Sequence, residues 1–329
     1  MVVGSGGRNL LHDAFGHRQT DPAPLPATPD TVYDLASLTK ALVTSLLAMR
    51  AVAAGQLRLS DPLLDGEGPS IRQTLAHAGG FVAHRPFHER VAAEPPDRRR
   101  ARVVALAAEE PRAYPAGTRS IYTDLGFILL GDRLERLLGA RLDALAAPLF
   151  AALGLSTLRF GATASDRPVA PTQRSAARGR LIVGEVDDLN AWAMEGVAGH
   201  AGLFGDAADV AALAHALCAA WRDGAPALVP GPVLREFWTP AGVPGSTWRL
   251  GWDGPAPTGS LAGDRISRAA VGHLAFTGCS LWIDPERETF VLVLSNRVHP
   301  SARDDPRWKA LRPAINDAAL EGAGYPLGR

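Results

Sequence analysis

The fold of this 329-residue chain is most constrained by the place where its hydrophobic period changes. Late in the chain, L-A-F-T-G-C-S-L-W-I-D (274–284) and E-T-F-V-L-V-L-S-N-R (288–297) are rich in β-branched and aromatic residues. The turn D-P-E-R lies between them, so they read as a hairpin of two core strands. At the other end, R-N-L-L-H-D-A-F-G (8–16) reads as a strand entering a turn, with residues 1–4 as the remnant of its hairpin partner. The middle of the chain has helical spacing instead. Helices are predicted over 37–54, 70–78 (with Ser70 as its cap), 98–110 (stopped by Pro111), 122–138, 141–152 and 207–221, and a last one over 302–321. Residues 160–200 show little periodicity and read as a long structured loop region. Strands at both ends around a helical middle imply one sheet built from both termini. The expected architecture is α/β (α+β). Residues 1–61 and 236–329 would form an antiparallel sheet domain flanked by helices, 62–235 a mostly helical inserted subdomain, and the site would lie at their junction. A hydrophobic fraction of 47% is enough for a core of that size.

Charge and cysteine content remove several classes of function. Lys plus Arg and Asp plus Glu both number 34, so the chain lacks the overall basic field of a general nucleic-acid binder. The run D-R-R-R-A-R (97–102), next to P-P-D, reads as the start of a solvated helix. Two cysteines cannot make a disulfide framework. Cys218 reads as filler in an Ala/Leu helix. Cys279 reads as core packing beside a site strand, with a reactive neighbour as the alternative. No basic-then-apolar leader and no bilayer-length apolar run is visible, so the chain is expected to be soluble and cytoplasmic, with no membrane partner.

Chemistry enters with Y-D-L-A-S-L-T-K (33–40). Ser37 and Lys40 are three apart at the start of an apolar helical run, so they should share a face on its first turn. A helix start directs free N–H groups and positive potential outward, a setting for a hydroxyl nucleophile beside an amine. Alone the tetrapeptide is weak evidence. Three other stretches raise its value: Y-T-D-L-G (122–126), whose Tyr122 could share a proton with Ser37 and Lys40; G-H-L-A-F-T-G (272–278); and the glycine-rich G-H-A-G-L-F-G (199–205).

Together these strings resemble the serine β-lactamase-like hydrolases of the penicillin-binding superfamily, nearest to the class C-like esterase and D-aminopeptidase branch (peptidase S12-like). That family carries S-x-x-K, then Y-x-N or a variant, then K-T-G or H-x-G. The matching residues here are Ser37 to Lys40, Tyr122 to Asp124 and His273 to Ala275. The resemblance runs from about residue 8 to 320. It implies that Ser37 attacks an ester or amide carbonyl to form an acyl-enzyme. Lys40, its pKa lowered, would help activate Ser37. Tyr122 would relay the proton to the leaving group. The N–H groups of Ser37 and Phe276 would form the oxyanion hole, the second on the late strand. His273 would hold a substrate carboxylate or tune Tyr122, and no cofactor is implied.

The sequence departs from that pattern at Asp124, which replaces an amide, and at Leu274, which removes a hydroxyl. It also departs at Ala275, whose methyl could crowd a bulky acyl group or tilt the strand. An ionised Asp124 cannot donate to a substrate carbonyl, and it could pair with Lys40 and keep it charged. Small esters or amides therefore fit better than a conventional β-lactam or peptidoglycan substrate. The family also begins with a helix and a longer first strand. Without them the helix at 302–321 would expose an apolar surface that a homodimer partner could cover.

Other readings are weaker. His77, His84 and His88 invite a metal, but Pro86 interrupts the helical spacing and no further ligand completes a set. His77 matches a histidine in the family's L-x-H-x-S-G turn, a structural place, and His200 reads as a brace for its glycine turn. The acids in E-V-D-D (185–188) read as solvated rather than as a glycosidase pair. Trp192, Trp248, Trp252 and Trp282 could line an acyl pocket, although core packing is the simpler reading. The leading expectation is a serine hydrolase for a small ester or amide, with acyl transfer as a variant. The alternative is a catalytically weak relative that binds a ligand or partner in the cleft.

Overall fold

The computed structural model describes residues 1–162, 165–223, 228–302 and 305–325. Residues 303–304 of the expected last helix, and the expected sheet domain beyond 325, lie outside them. The chain opens with the hairpin β1 (Val2–Ser5) and β2 (Arg8–His12) and reaches β3 (Tyr33–Asp34). A π-helical turn, Lys40–Ser45, then runs into α1 (Leu46–Ala53). There follow α2 (Pro96–Glu109), α3 (Leu125–Leu138), α4 (Leu142–Ala152), β4 (Arg159–Phe160) and β5 (Leu203–Gly205). Next are α5 (Ala207–Asp223), α6 (Gly231–Trp238), β6 (Val271–Leu274), β7 (Ser280–Asp284), β8 (Thr289–Val293) and α7 (Pro306–Gly322).

The sheet is built from both termini, in the order β6-β7-β8-β1-β2, with antiparallel pairing throughout. Its two faces follow the strand period of two. Leu281, Ile283, Phe290 and Leu292 join the main core with Val210, Leu213 and Leu217 of α5. Trp282 and Val291 point the other way, into a smaller cluster with Leu320 of α7. Burial on both faces makes β7 read as a continuous apolar run. Gly4 is needed where it stands: a Cβ there would lie 2.3 Å from the Phe290 ring.

Several elements differ in extent from the sequence reading, and two of the differences bear on the site. The stretch 274–284 is not one strand. β6 ends at Leu274, residues 275–279 turn, and β7 begins at Ser280, giving a three-strand meander with β8. Gly278 permits the turn at φ +101°. The helix expected from 122 begins at Leu125, because Thr123 and Asp124 are held by side-chain and backbone bonds that compete with a helical turn. The short helix Ile71–Leu75 has the Ser70 cap, reciprocated by Gln73. Between β3 and β6 the chain is mostly helical. Among the described residues no helix is long and apolar enough to cross a membrane.

Candidate active site

Ser37 is placed by a tightly held turn. β3 pairs with β5, with Asp34 opposite Phe204, and ends three residues before Ser37. The Asp34 carboxylate accepts the Ala36 N–H at 2.8 Å and the Asp187 N–H at 2.7 Å. Burial pushes its pKa up to about 7. Thr39 Oγ1 donates to the Ala36 carbonyl at 2.6 Å and accepts the Leu203 N–H at 3.1 Å. These bonds hold Ala36 at φ +44°, an unfavourable conformation for a residue with a Cβ. The chain then enters the π-helical turn, which carries Lys40 into the core, fully buried. Such turns occur often at functional sites.

The structure brings Ser37, Lys40, Tyr122 and Asp124 together. Lys40 Nζ donates to Ser37 Oγ at 3.2 Å, to Asp124 Oδ1 at 2.8 Å and to the His200 carbonyl at 3.0 Å. Those three acceptors match the three donors of an ammonium. The Tyr122 hydroxyl donates to Ser37 Oγ at 2.6 Å. Burial alone would lower the Lys40 pKa, but Asp124 outweighs it and the ammonium is held above its ordinary value. The lowered lysine expected from sequence is therefore not found. In return, the Lys40 charge overcomes burial and depresses the Asp124 carboxyl well below the usual range. Burial raises the Tyr122 phenol, with Lys40 partly offsetting it. At neutral pH the site holds an ammonium and a phenol around the Ser37 hydroxyl, with the Asp124 carboxylate on the ammonium. Asp124 sits at the start of α3 without capping it, because its second oxygen faces His84 Nδ1 at 3.3 Å.

Two supports went beyond the sequence reading. His77 clamps Tyr122 from both sides. Its carbonyl accepts the Ile121 N–H at 2.9 Å, its Nδ1 accepts the Thr123 N–H at 3.1 Å, and its ring centroid is 4.8 Å from that of Tyr122. Burial holds its imidazole neutral, as an accepting Nδ1 requires. The readable signal was a buried-type histidine in a motif turn, but the contact itself spans 46 residues. His200 supplies a carbonyl to Lys40, and its Nε2 meets Asp188 Oδ1 at 2.8 Å. Burial would raise Asp188, yet this contact holds the carboxyl below its ordinary value. The Asp187 carboxylate accepts from Gln173 Nε2 at 3.0 Å and that of Asp188 meets His200, so both acids of the pair are engaged rather than simply solvated.

A cleft of about 720 Å³ opens over Ser37, lined among others by Tyr122, Asp124, Trp248, His273, Ala275 and Phe276. Among the described residues, neither the Ser37 N–H nor the Phe276 N–H donates to another protein group. Phe276 lies in the 275–279 turn rather than on the strand, and the residue is 51% exposed. Ala275 lines the cleft just past the end of β6, which pairs with β7 through Leu274. His273 is buried and its Nδ1 donates to the Leu274 carbonyl at 2.8 Å. Burial and the Lys40 charge lower its pKa to about 3. It is therefore neutral and carries no charge for a substrate carboxylate. Of the four tryptophans considered, Trp248 lines the cleft and Trp252 and Trp282 are core. Trp192 lies outside it, packed against Arg178. Burial pushes the Cys279 thiol up to about 11, which leaves no reactive thiolate near neutral pH.

The sheet built from both ends of the chain, flanked by helices, defines a fold class that its relatives share. The chain belongs to the beta-lactamase family, whose family model, described as Beta-lactamase, matches residues 1–314. A curated relative from Escherichia coli (strain K12), named "Putative D-alanyl-D-alanine carboxypeptidase", is 27% identical over 315 residues, covering 85% of this chain and 72% of the relative. The octameric penicillin-binding protein homologue from Pyrococcus abyssi has the same fold with a TM-score of 0.74. It is 22% identical, and the match covers 98% of this chain and 72% of that one. EstCE1, a hydrolase with promiscuous acyltransferase activity, matches with a TM-score of 0.71 at 20% identity, covering 97% and 92%.

Proposed function

We propose that this protein is a serine hydrolase that cleaves small esters or amides through an acyl-enzyme on Ser37. The observation that carries the reading is Ser37 Oγ, contacted by both Lys40 Nζ and the Tyr122 hydroxyl at the floor of an open cleft. Its resting charge state holds one proton too many for attack. Loss of one proton from the coupled Lys40–Tyr122 pair creates the base that takes the Ser37 proton. Ser37 Oγ then bonds to the carbonyl carbon, and the negative oxygen is received by the Ser37 and Phe276 N–H groups. The base returns its proton to the leaving oxygen or nitrogen as that bond breaks. Water reverses the sequence and frees the acid.

Neutral His273 argues against substrates that need a cation at the third motif, and buried Ala275 adds bulk beside the acyl group. Small esters and amides fit best. The size of the cleft also leaves room for an acceptor other than water, and the fold is shared with a hydrolase of promiscuous acyltransferase activity, so acyl transfer to an alcohol or amine is the second reading. The ligand-binding alternative rests on Asp124 and Ala275. The contacts of Lys40 Nζ and the Tyr122 hydroxyl with Ser37 Oγ under an open cleft weigh against it.

The test is a comparison of kcat/KM for p-nitrophenyl acetate and butyrate, a chromogenic cephalosporin and a D-alanyl-D-alanine peptide. Ester turnover more than about tenfold above the other two is expected. Lactam or peptide turnover exceeding that of the esters would overturn the substrate assignment.

A further inference from the structure

The Phe276 N–H belongs to the peptide group whose carbonyl is Ala275 O, and that carbonyl is not left to solvent. It accepts the Gly278 N–H at 3.0 Å and Arg312 Nη2 at 3.1 Å. Arg312 lies on α7, whose packing is otherwise against the far side of the sheet. Its guanidinium is within 5.8 Å of the Trp308 ring, one turn earlier on the same helix. Among the described residues it has no carboxylate within ion-pair distance, so its charge is directed at a peptide oxygen rather than spent on an acid. The C=O and N–H of one peptide are coplanar and point in opposite directions. Two donors on the oxygen therefore fix the plane, and a positive charge there polarises the group and strengthens its N–H as a donor. Arg312 touches the opposite end of a cleft-lining amide whose N–H, like that of Ser37, donates to no protein group among the described residues.

We infer that Arg312 is a positioning residue that orients and strengthens the Phe276 N–H for the oxyanion, acting through the Ala275 carbonyl. The inference rests on the acyl-enzyme reading of Ser37. It places the C-terminal helix in the catalytic machinery by one peptide's remove.

The experiment uses the full chain and its Arg312→Met, Arg312→Gln and Arg312→Lys variants, acylated with a cinnamoyl ester and trapped at low pH. Vibrational difference spectroscopy then reads the ester carbonyl stretch, which rises as hydrogen bonding to that oxygen weakens. Arg312→Met should move the band to higher wavenumber and lower kcat about tenfold, less than the loss of a whole oxyanion donor, with KM nearly unchanged. Arg312→Gln keeps an N–H and should fall between wild type and Met, which preserves the test if the Met variant folds poorly. Arg312→Lys should recover part of the shift. An unchanged band in folded Met and Gln variants overturns the inference, and an unchanged band with only KM raised assigns Arg312 to substrate contact instead. Failure of the wild-type chain to form any acyl-enzyme overturns the reading beneath it and the inference with it.

Discussion

Asp124 stands where the resemblance leads one to expect an amide, and a carboxylate there alters the charge of the site more than its shape. An asparagine would leave Lys40 with burial as the main influence on its pKa, which lowers it. The carboxylate at 2.8 Å reverses that balance and holds the ammonium. Loss of a proton from a group held above its ordinary pKa requires higher pH, so kcat/KM should rise through neutrality into the alkaline range. In Asp124→Asn the opposing charge is gone, the ammonium is less favoured, and the rising limb should move to lower pH. A pH–rate profile of both proteins checks this. A limb that stays in place or moves up would show that Asp124 does not set the charge. The pairing was legible in the sequence only as one of two roles for Asp124. The two residues are 84 apart, and their proximity depends on how α3 packs against the π-helical turn.

Among the elements, the amphipathic helices and the terminal strands were legible because their hydrophobic periods are uninterrupted. The errors came where side chains compete for backbone groups. Thr123 Oγ1 takes the Leu125 N–H and His77 Nδ1 takes the Thr123 N–H, so α3 starts three residues late and Tyr122 is left on an extended approach. Likewise, the apolar character of 274–284 masks a turn at Gly278. The glycine-rich stretch 199–205 shows what period alone misses. Gly199 packs against Gly131 of α3, and a Cβ on Gly199 would lie 2.1 Å from the Phe127 carbonyl. That backbone contact lets the His200 carbonyl reach Lys40. Gly199→Ala should therefore cost about 1–3 kcal/mol in denaturant unfolding, as overpacking against rigid backbone does, and lower turnover by shifting a Lys40 acceptor. Wild-type stability and turnover together would refute this account of the contact.

At the scale of the whole molecule, the site draws on three distant parts of the chain. Ser37 and Lys40 come from the turn after β3, Tyr122 and Asp124 from the approach to α3, and Phe276 from the turn after β6. β3 pairs with β5 outside the five-stranded sheet. Thr277, in the turn after β6, ties the third part to the first by donating to the Asp34 carbonyl at 2.9 Å. The helical middle supplies the second. Strands at both ends and helices between were legible in the sequence; this tie was not. Nor were the direction of each hydrogen bond, the charge on Lys40 and the reach of α7 toward Ala275, because they depend on burial and on contacts far apart in sequence. The central claim is that Ser37 is the nucleophile. Intact-mass analysis of wild-type protein and Ser37→Ala after treatment with a fluorophosphonate tests it most directly. A single adduct that maps to the peptide containing Ser37, and is absent from folded Ser37→Ala, is the predicted result. Folded wild-type protein that takes no adduct, or an adduct that persists in Ser37→Ala, would contradict it.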